Sequence, residues 1–186
     1  ENVNNLLTTL VCGGITGLGG QYPCVMAGMR EGNGGEDRLS CVALWLDALA
    51  DRDGAVDVGT VGARATKKFL QPTIRFAVLG DEPRGFALTV VPPTTTTQTD
   101  NIGQSARIEL LAVKPGLGGN GYGRALLLDA IDHARAAGFT RIDLEVRHGN
   151  GAALALYTST GFKPCGEPQQ HPLGGESMLT LALDLT

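Results

Sequence analysis

Nothing in this 186-residue chain gathers lysine and arginine into a block, and its formal charge of −4 leans the other way. Binding to nucleic acid or to an anionic membrane surface rests on neutralising phosphates with many cations, so neither partner is expected. A cationic or neutral substrate is easier to accommodate. The four cysteines, Cys12, Cys24, Cys41 and Cys165, form no CxxC pair, and no histidine or cysteine near them supplies metal-ligand spacing. A zinc site is therefore not expected, whereas reduced, buried thiols in a cytoplasmic protein are. No apolar run approaches the roughly 20 residues that a membrane span needs. The apolar stretch LLTTLVCGGITGLGG has no lysine or arginine before it and is broken by glycines, unlike a secretory signal. Residues 1–22 are expected to form a leader or an added strand, and residues 23–186 one domain with a single core.

Glycine, by contrast, is abundant, and it is concentrated where it can do chemistry. VKPGLGGNGYGRALL, residues 113–127, stands between an apolar alternating segment and a helical one. Bare backbone opening a helix presents unpaired N–H groups together with the positive end of the helix dipole, which suits phosphate oxygens. A phosphate-bearing cofactor is the first expectation.

Periodicity supplies the frame around that loop. EDRLSCVALWLDALADRDG places Leu39, Val42, Leu46 and Leu49 at helical spacing with Gly54 as a stop, and a weaker helix is expected over 61–70. TIRFAVLG and RGFALTVVP, split by the turn GDEP, read as a hairpin. Residues 94–105, rich in threonine, read as a polar surface loop. ARIELLAV reads as a strand, residues 124–137 as a helix with Leu127, Ile131 and Ala134 on one face, and TRIDLEV as the next strand. A helix over 150–160 and the strand ESMLTLALDL close the chain. The order gives an α/β (α+β) mixed sheet covered by helices on both faces.

GLGGNG, residues 116–121, also satisfies the GxGxxG fingerprint of dinucleotide sites, with Asp143 and Glu145 roughly 20 residues on. An NAD-binding doubly wound fold would need several further strand and helix units, and too little chain remains for them. It is kept only as a remote alternative.

A second signature decides between them. NGAALALYTSTGF, residues 150–162, fits N-x-x-A-x-x-L-Y-x-x-x-G-F at Asn150, Ala153, Leu156, Tyr157, Gly161 and Phe162. With LLAVKP and the loop glycines Gly121 and Gly123 ahead of it, the chain resembles the GNAT superfamily of acetyl-CoA-dependent N-acetyltransferases. The resemblance is close over residues 108–162 and looser from about residue 25 onward. It implies a mixed, mostly antiparallel twisted sheet of six to seven strands flanked by about four helices and splayed between two central parallel strands. It implies acetyl-CoA as co-substrate, with the pantetheine arm along Leu111, Ala112 and Val113 and the diphosphate on Gly118, Gly119, Asn120, Gly121, Tyr122, Gly123 and Arg124. Asn150 joins them as pantetheine contact and N-cap. Where the family commonly carries Arg or Gln, this chain has Gly118, so one side-chain contact to the diphosphate is missing.

The same resemblance assigns the proton chemistry. An alkyl ammonium with a pKa near roughly 10.4 must lose a proton before it attacks, and a thiolate near about 8.5 leaves faster if it gains one. Tyr157 matches the family's catalytic acid. Glu145, in LEVRHGN, matches the base of ribosomal-protein alanine acetyltransferases, and Glu109, which shares strand parity with Leu111 and Val113, is the second candidate. The backbone N–H of Val113 is the expected oxyanion donor. His148 and His171 read as exposed loop residues, and a ping-pong route through Cys41 or Cys165 ranks behind direct transfer because neither has an adjacent base. The implied acceptor is a small-molecule amine or a peptide N-terminus, and a homodimer is compatible with the sequence. The competing function is a catalytically idle module of the same fold that binds CoA or another ligand.

Overall fold

The computed structural model describes residues 28–92, 105–170 and 177–185. The leader at 1–22, most of the threonine-rich loop, Cys12, Cys24 and His171 lie outside them. Eight strands form one sheet: β1 (Met29–Glu31), β2 (Thr73–Leu79), β3 (Gly85–Val90), β4 (Ser105–Val113), β5 (Arg141–Arg147), β6 (Lys163–Pro164), β7 (Gln169–Gln170) and β8 (Ser177–Asp184). Among the described residues four helices, α1 (Glu36–Asp53), α2 (Val58–Lys68), α3 (Tyr122–Ala136) and α4 (Gly151–Ser159), accompany it. The strand order is β1-β2-β3-β4-β5-β8-β6, with β7 also paired to β8. Among these pairs β4 and β5 alone run parallel, so a doubly wound dinucleotide fold is ruled out. The two-residue strands β6 and β7 and the short β1 are too brief to leave a periodic signal, which is why the sequence does not announce them.

Helices cover both faces, as expected. Cys41 and Leu44 of α1 and Ala65 of α2 pack on Phe76, Val78, Phe86, Leu88, Val90, Leu110 and Ala112. Leu127, Ala130, Ile131 and Ala134 of α3, with Tyr157 of α4, cover Ala106, Ile108, Ile142 and Leu144 on the other side. Truncating a side chain as enclosed as Leu127 to alanine costs about 2–5 kcal/mol, because the space left behind closes only partly.

The buried face of α1 matches the apolar spacing only in part. Leu49 is buried and Val42 packs on the core, but Leu39 is 69% exposed, and Asp37, Cys41 and Leu44 are buried instead. Asp37 fixes this rotation: its carboxylate accepts from Arg30 Nη1 and Nη2 at 2.6 and 2.8 Å and from the Asn33 N–H at 2.7 Å. A two-pronged guanidinium contact of this kind sets orientation as well as energy.

A β-bulge in β4 divides the strand between the two cores. Thr89 pairs with Ile108 and Leu88 with Leu110, leaving Glu109 as an extra residue without a partner opposite. The extra residue swaps the faces of the strand, so Ile108 enters the α3/α4 core while Leu110 enters the α1/α2 core. The parity that would align Glu109 with Leu111 and Val113 is therefore broken. Leu111 and Val113 pack toward α3, whereas Glu109 meets Lys68 of α2.

Candidate active site

β4 and β5 stay paired only from Ser105–Arg141 to Ile108–Leu144, and beyond that point they separate. The splay expected between the two parallel strands is thus present. Its apex has a chemical consequence, since Glu109 and Glu145 are the first residues past the last pair on their respective strands.

The backbone of the opening is available for binding. The Lys114 N–H donates to the Arg84 carbonyl of the β3 side at 2.8 Å. Because N–H groups along a strand alternate in direction, those of Leu111 and Val113 face away from β3, into the gap toward β5. Asn150 caps α4 across the gap, its Oδ1 accepting from the Ala153 N–H at 3.2 Å.

At the wide end of the gap the glycine loop enters α3. Gly121 is its N-cap with φ of +81°, a left-handed conformation that costs a residue with a Cβ roughly 1–2 kcal/mol. No side chain among the described residues caps this helix, and the first intrahelical bond is from the Ala125 N–H to the Gly121 carbonyl at 2.9 Å. The N–H groups of Gly118, Gly119, Gly121, Tyr122, Gly123 and Arg124 thus donate to nothing among the described residues. Gly123 lies close under α4, where a Cβ would stand 3.2 Å from Leu156 Cδ2 and the leucine tip would have to yield by a few tenths of an ångström. The loop is held in shape by Asn120, whose amide donates to the carbonyls of Leu117 and Gly118 at 3.1 and 3.3 Å.

All of these groups open on one cavity of about 980 Å³, which is the upper part of the range for small-molecule and cofactor sites. Tyr157, Glu145, Glu109, Leu111, Ala112, Val113, Gly118, Gly119, Gly121, Tyr122, Gly123, Arg124 and Asn150 all border it. Asn120 does not; it shapes the loop from outside. Unsatisfied donors, a splayed strand pair and a dipole-positive helix end together fit an elongated ligand carrying a diphosphate.

Tyr157 is 7% exposed and packs against Phe162 at 5.9 Å between ring centroids, yet its hydroxyl makes no hydrogen bond among the described residues. Burial pushes the phenol up to about 12, so it remains protonated and able to donate across the physiological range. Glu145 stands 49% exposed, with Arg107 Nη1 3.6 Å from its Oε1. Glu109 is more enclosed and is held by the Lys68 ammonium, which also donates to the Glu109 carbonyl at 3.4 Å.

The sequence did not indicate the wall opposite the glycine loop, where Arg52, Arg64 and Lys68 from the first two helices and Arg107 and Arg147 from the sheet border the same space. Arg107 also bonds Asp143 at 2.5 Å, and Arg147 bonds Asp53 at 3.0 Å. These residues come from distant segments, and no local pattern connects them. Neither Cys41, fully buried with its thiol pushed up to about 12 by burial, nor Cys165, which accepts from Arg141 Nη2 at 2.7 Å, borders the cavity. His148 is exposed and stands outside it.

Comparison with known proteins converges on the same reading of the fold. The acetyltransferase (GNAT) family model matches residues 42–162, more than half of the chain. Over 168 residues the chain is 29% identical to the mycothiol acetyltransferase of Beutenbergia cavernae, a match covering 83% of this chain and 54% of that protein. Over 78 residues it is 44% identical to the N-alpha-acetyltransferase RimI of Mycobacterium tuberculosis, covering 41% of this chain and 48% of that one. The chain thus spans about half the length of either relative. Among solved structures, the ribosomal-protein-S18-alanine N-acetyltransferase from Escherichia coli superposes with a TM-score of 0.60 at 22% identity, over 85% of this chain and 93% of that chain. An N-acetyltransferase from Staphylococcus aureus Mu50 gives 0.64 at 17% identity, over 85% and 98%. At these identities the likeness concerns the fold.

Proposed function

The chain belongs to the GNAT acetyltransferase family, and on that premise we propose that it transfers an acetyl group from acetyl-CoA directly to a primary amine. The acceptor is a small molecule or a protein N-terminus, the two classes represented by the names of its relatives. The observation that carries this reading is the row of undirected loop N–H groups opening onto the same cavity as the unspent hydroxyl of Tyr157.

In this reading the loop N–H groups and the N-terminus of α3 hold the diphosphate, and the free strand edge at Leu111 and Val113 pairs with the amides of the pantetheine arm. The thioester supplies an acyl carbon activated for attack and a thiolate leaving group. The Val113 N–H is the donor available to the acyl oxygen. As the new N–C bond forms and the C–S bond breaks, one proton leaves the nitrogen and one is required at sulfur.

Tyr157 serves the sulfur. With its phenol near 12 and a free thiol near about 8.5, handing the proton to the departed thiolate would be uphill by roughly 3.5 pKa units. Tyr157 therefore acts by hydrogen bonding to the sulfur as charge develops there and keeps its proton, and once the C–S bond has broken the thiolate takes its proton from solvent. Glu145 takes the amine proton through a water: its half-exposed carboxylate and loose contact with Arg107 leave it free, while Glu109 is committed to Lys68. Direct transfer is favoured over a thiol-linked route because neither described cysteine borders the cavity. We place the reaction in the cytoplasm; among the described residues no helix is long and apolar enough to cross a membrane.

Thiol release from acetyl-CoA, measured over a panel of primary amines and N-terminal peptides, tests the reading, with calorimetric titration of coenzyme A beside it. Saturable binding with amine-dependent release is the expected result. Binding without release would establish the idle module, and no binding would remove the basis of both.

A further inference from the structure

Among the cations that α1 and α2 bring to the cavity, Arg64 alone is engaged by no carboxylate among the described residues. It stands on α2 in the stripe Val61, Arg64, Ala65 and Lys68, whose i, i+3, i+4, i+7 spacing turns all four residues to the cavity. A stripe with this spacing is normally apolar where it faces a core, and Ala65, only 2% exposed, obeys that rule. Arg64, half-buried, breaks it without an acid to justify the charge. Its neighbours on this wall are accounted for: Lys68 is held by Glu109, Arg107 by Asp143 and Glu145, Arg147 by Asp53. In a chain with a net charge of −4, a half-buried guanidinium without a counter-ion is suited to an anionic group of the ligand.

Resting on the acetyl-transfer reading above, we propose that Arg64 binds a carboxylate of the acceptor, so that the substrate is an amine carrying a carboxylate at its other end. The cavity is already polarised for such a molecule. Its amine end is directed to Glu145 at the strand opening, and its anionic end to α2, where Arg64 stands one helical turn before Lys68. A planar guanidinium fork matches a carboxylate with two parallel hydrogen bonds, whereas a carboxamide offers a single acceptor oxygen and no charge.

The test uses a homologous series of ω-amino acids, from glycine to 6-aminohexanoate, each paired with its carboxamide, with acetyl-CoA as donor and thiol release as readout. For at least one chain length the carboxylate is expected to exceed its carboxamide in kcat/KM by about 10- to 100-fold, the range for hydrogen bonds to a charged partner. Arg64→Ala collapses that ratio to about one, and Arg64→Lys retains part of it, with coenzyme A binding by calorimetry reporting that both variants are folded. Turnover of carboxamides and carboxylates alike in the wild type, or a ratio that survives Arg64→Ala, overturns this inference alone. An absence of turnover with every amine overturns the acetyl-transfer reading and this inference with it.

Discussion

Asp53, the last residue of α1, accepts a hydrogen bond from Nη1 of Arg147, the last residue of β5, at 3.0 Å. Both border the cavity, so this contact ties its helical wall to its sheet floor. Arg52 grips the same carboxylate at 2.5 and 2.6 Å, and that hydrogen-bonded pair keeps Asp53 below the usual carboxylate range. Asp53→Asn is expected to cost no more than about 1 kcal/mol of stability, because the pair is partly solvated. Its effect should fall on the acceptor: a severalfold rise in acceptor KM with the KM for acetyl-CoA unchanged, read from steady-state kinetics.

Tyr157→Phe separates catalysis from packing. The ring stays in the core while the hydroxyl goes, so kcat is expected to fall about 10²- to 10⁴-fold with coenzyme A affinity retained. Because the hydroxyl has no partner among the described residues, the melting temperature should hold or rise slightly. The wild type should lose stability between about pH 10 and 12, where the unfolded phenol ionises and the folded one, held near 12, does not. The variant should lack that component.

Replacing each carboxylate in turn by its amide identifies the base. Glu145→Gln is expected to lower kcat by about 10²-fold or more and to abolish the acidic limb of the pH–rate profile. Glu109→Gln, which releases Lys68 and the bulge, should cost stability and leave that limb in place. The reverse pattern would assign the base to Glu109.

The loop offers a gain-of-function test at Gly118. Its φ is not left-handed, and a Cβ there would meet nothing within 4 Å, so a long side chain fits without strain. Gly118→Arg is expected to keep the wild-type melting temperature and to tighten coenzyme A by about 3- to 10-fold, an advantage that fades as salt is raised. Calorimetry at two ionic strengths is the measurement.

Asp37 anchors α1 from outside the cavity. The Arg30 guanidinium hydrogen-bonded to it lowers its carboxyl to about 2. A lowered folded-state pKa contributes stability that is present above about pH 4 and is lost as pH falls toward 2. Asp37→Asn is therefore expected to reduce the melting temperature at pH 7 by about 4–8 °C, from the loss of charge-assisted bonds worth roughly 1.5–3 kcal/mol. The gap between variant and wild type should close in acid.

Much of this architecture could be read from the residues. The hairpin, the strand–glycine loop–helix–strand unit and the last helix arise from periodicities of two and 3.6, and Leu127, Ile131 and Ala134 are buried together as their spacing requires. The face of α1 could be read only in part: Leu49 and Val42 lie at the core as their spacing requires, but a polar contact, Arg30 with Asp37, turns the start of the helix so that Leu39 faces outward. The orientation of Glu109 could not be read, since an unpaired residue in β4 leaves no compositional mark. The cationic wall depends on segments as far apart as Arg52 and Arg147, which only the tertiary fold brings together.

The unpaired residue at Glu109 gives β4 something like a reading frame. Upstream of it, even-numbered residues belong to one hydrophobic layer, and downstream they belong to the other. The register absorbs the extra residue: without Glu109, Ile108 opposite Thr89 would be followed directly by Leu110 opposite Leu88, and plain alternation would still send Ile108 toward α3 and Leu110 toward α1. Both hydrophobic layers are thus those of a regular strand, and what the insertion adds is one carboxylate, set against Lys68 where the two parallel strands part.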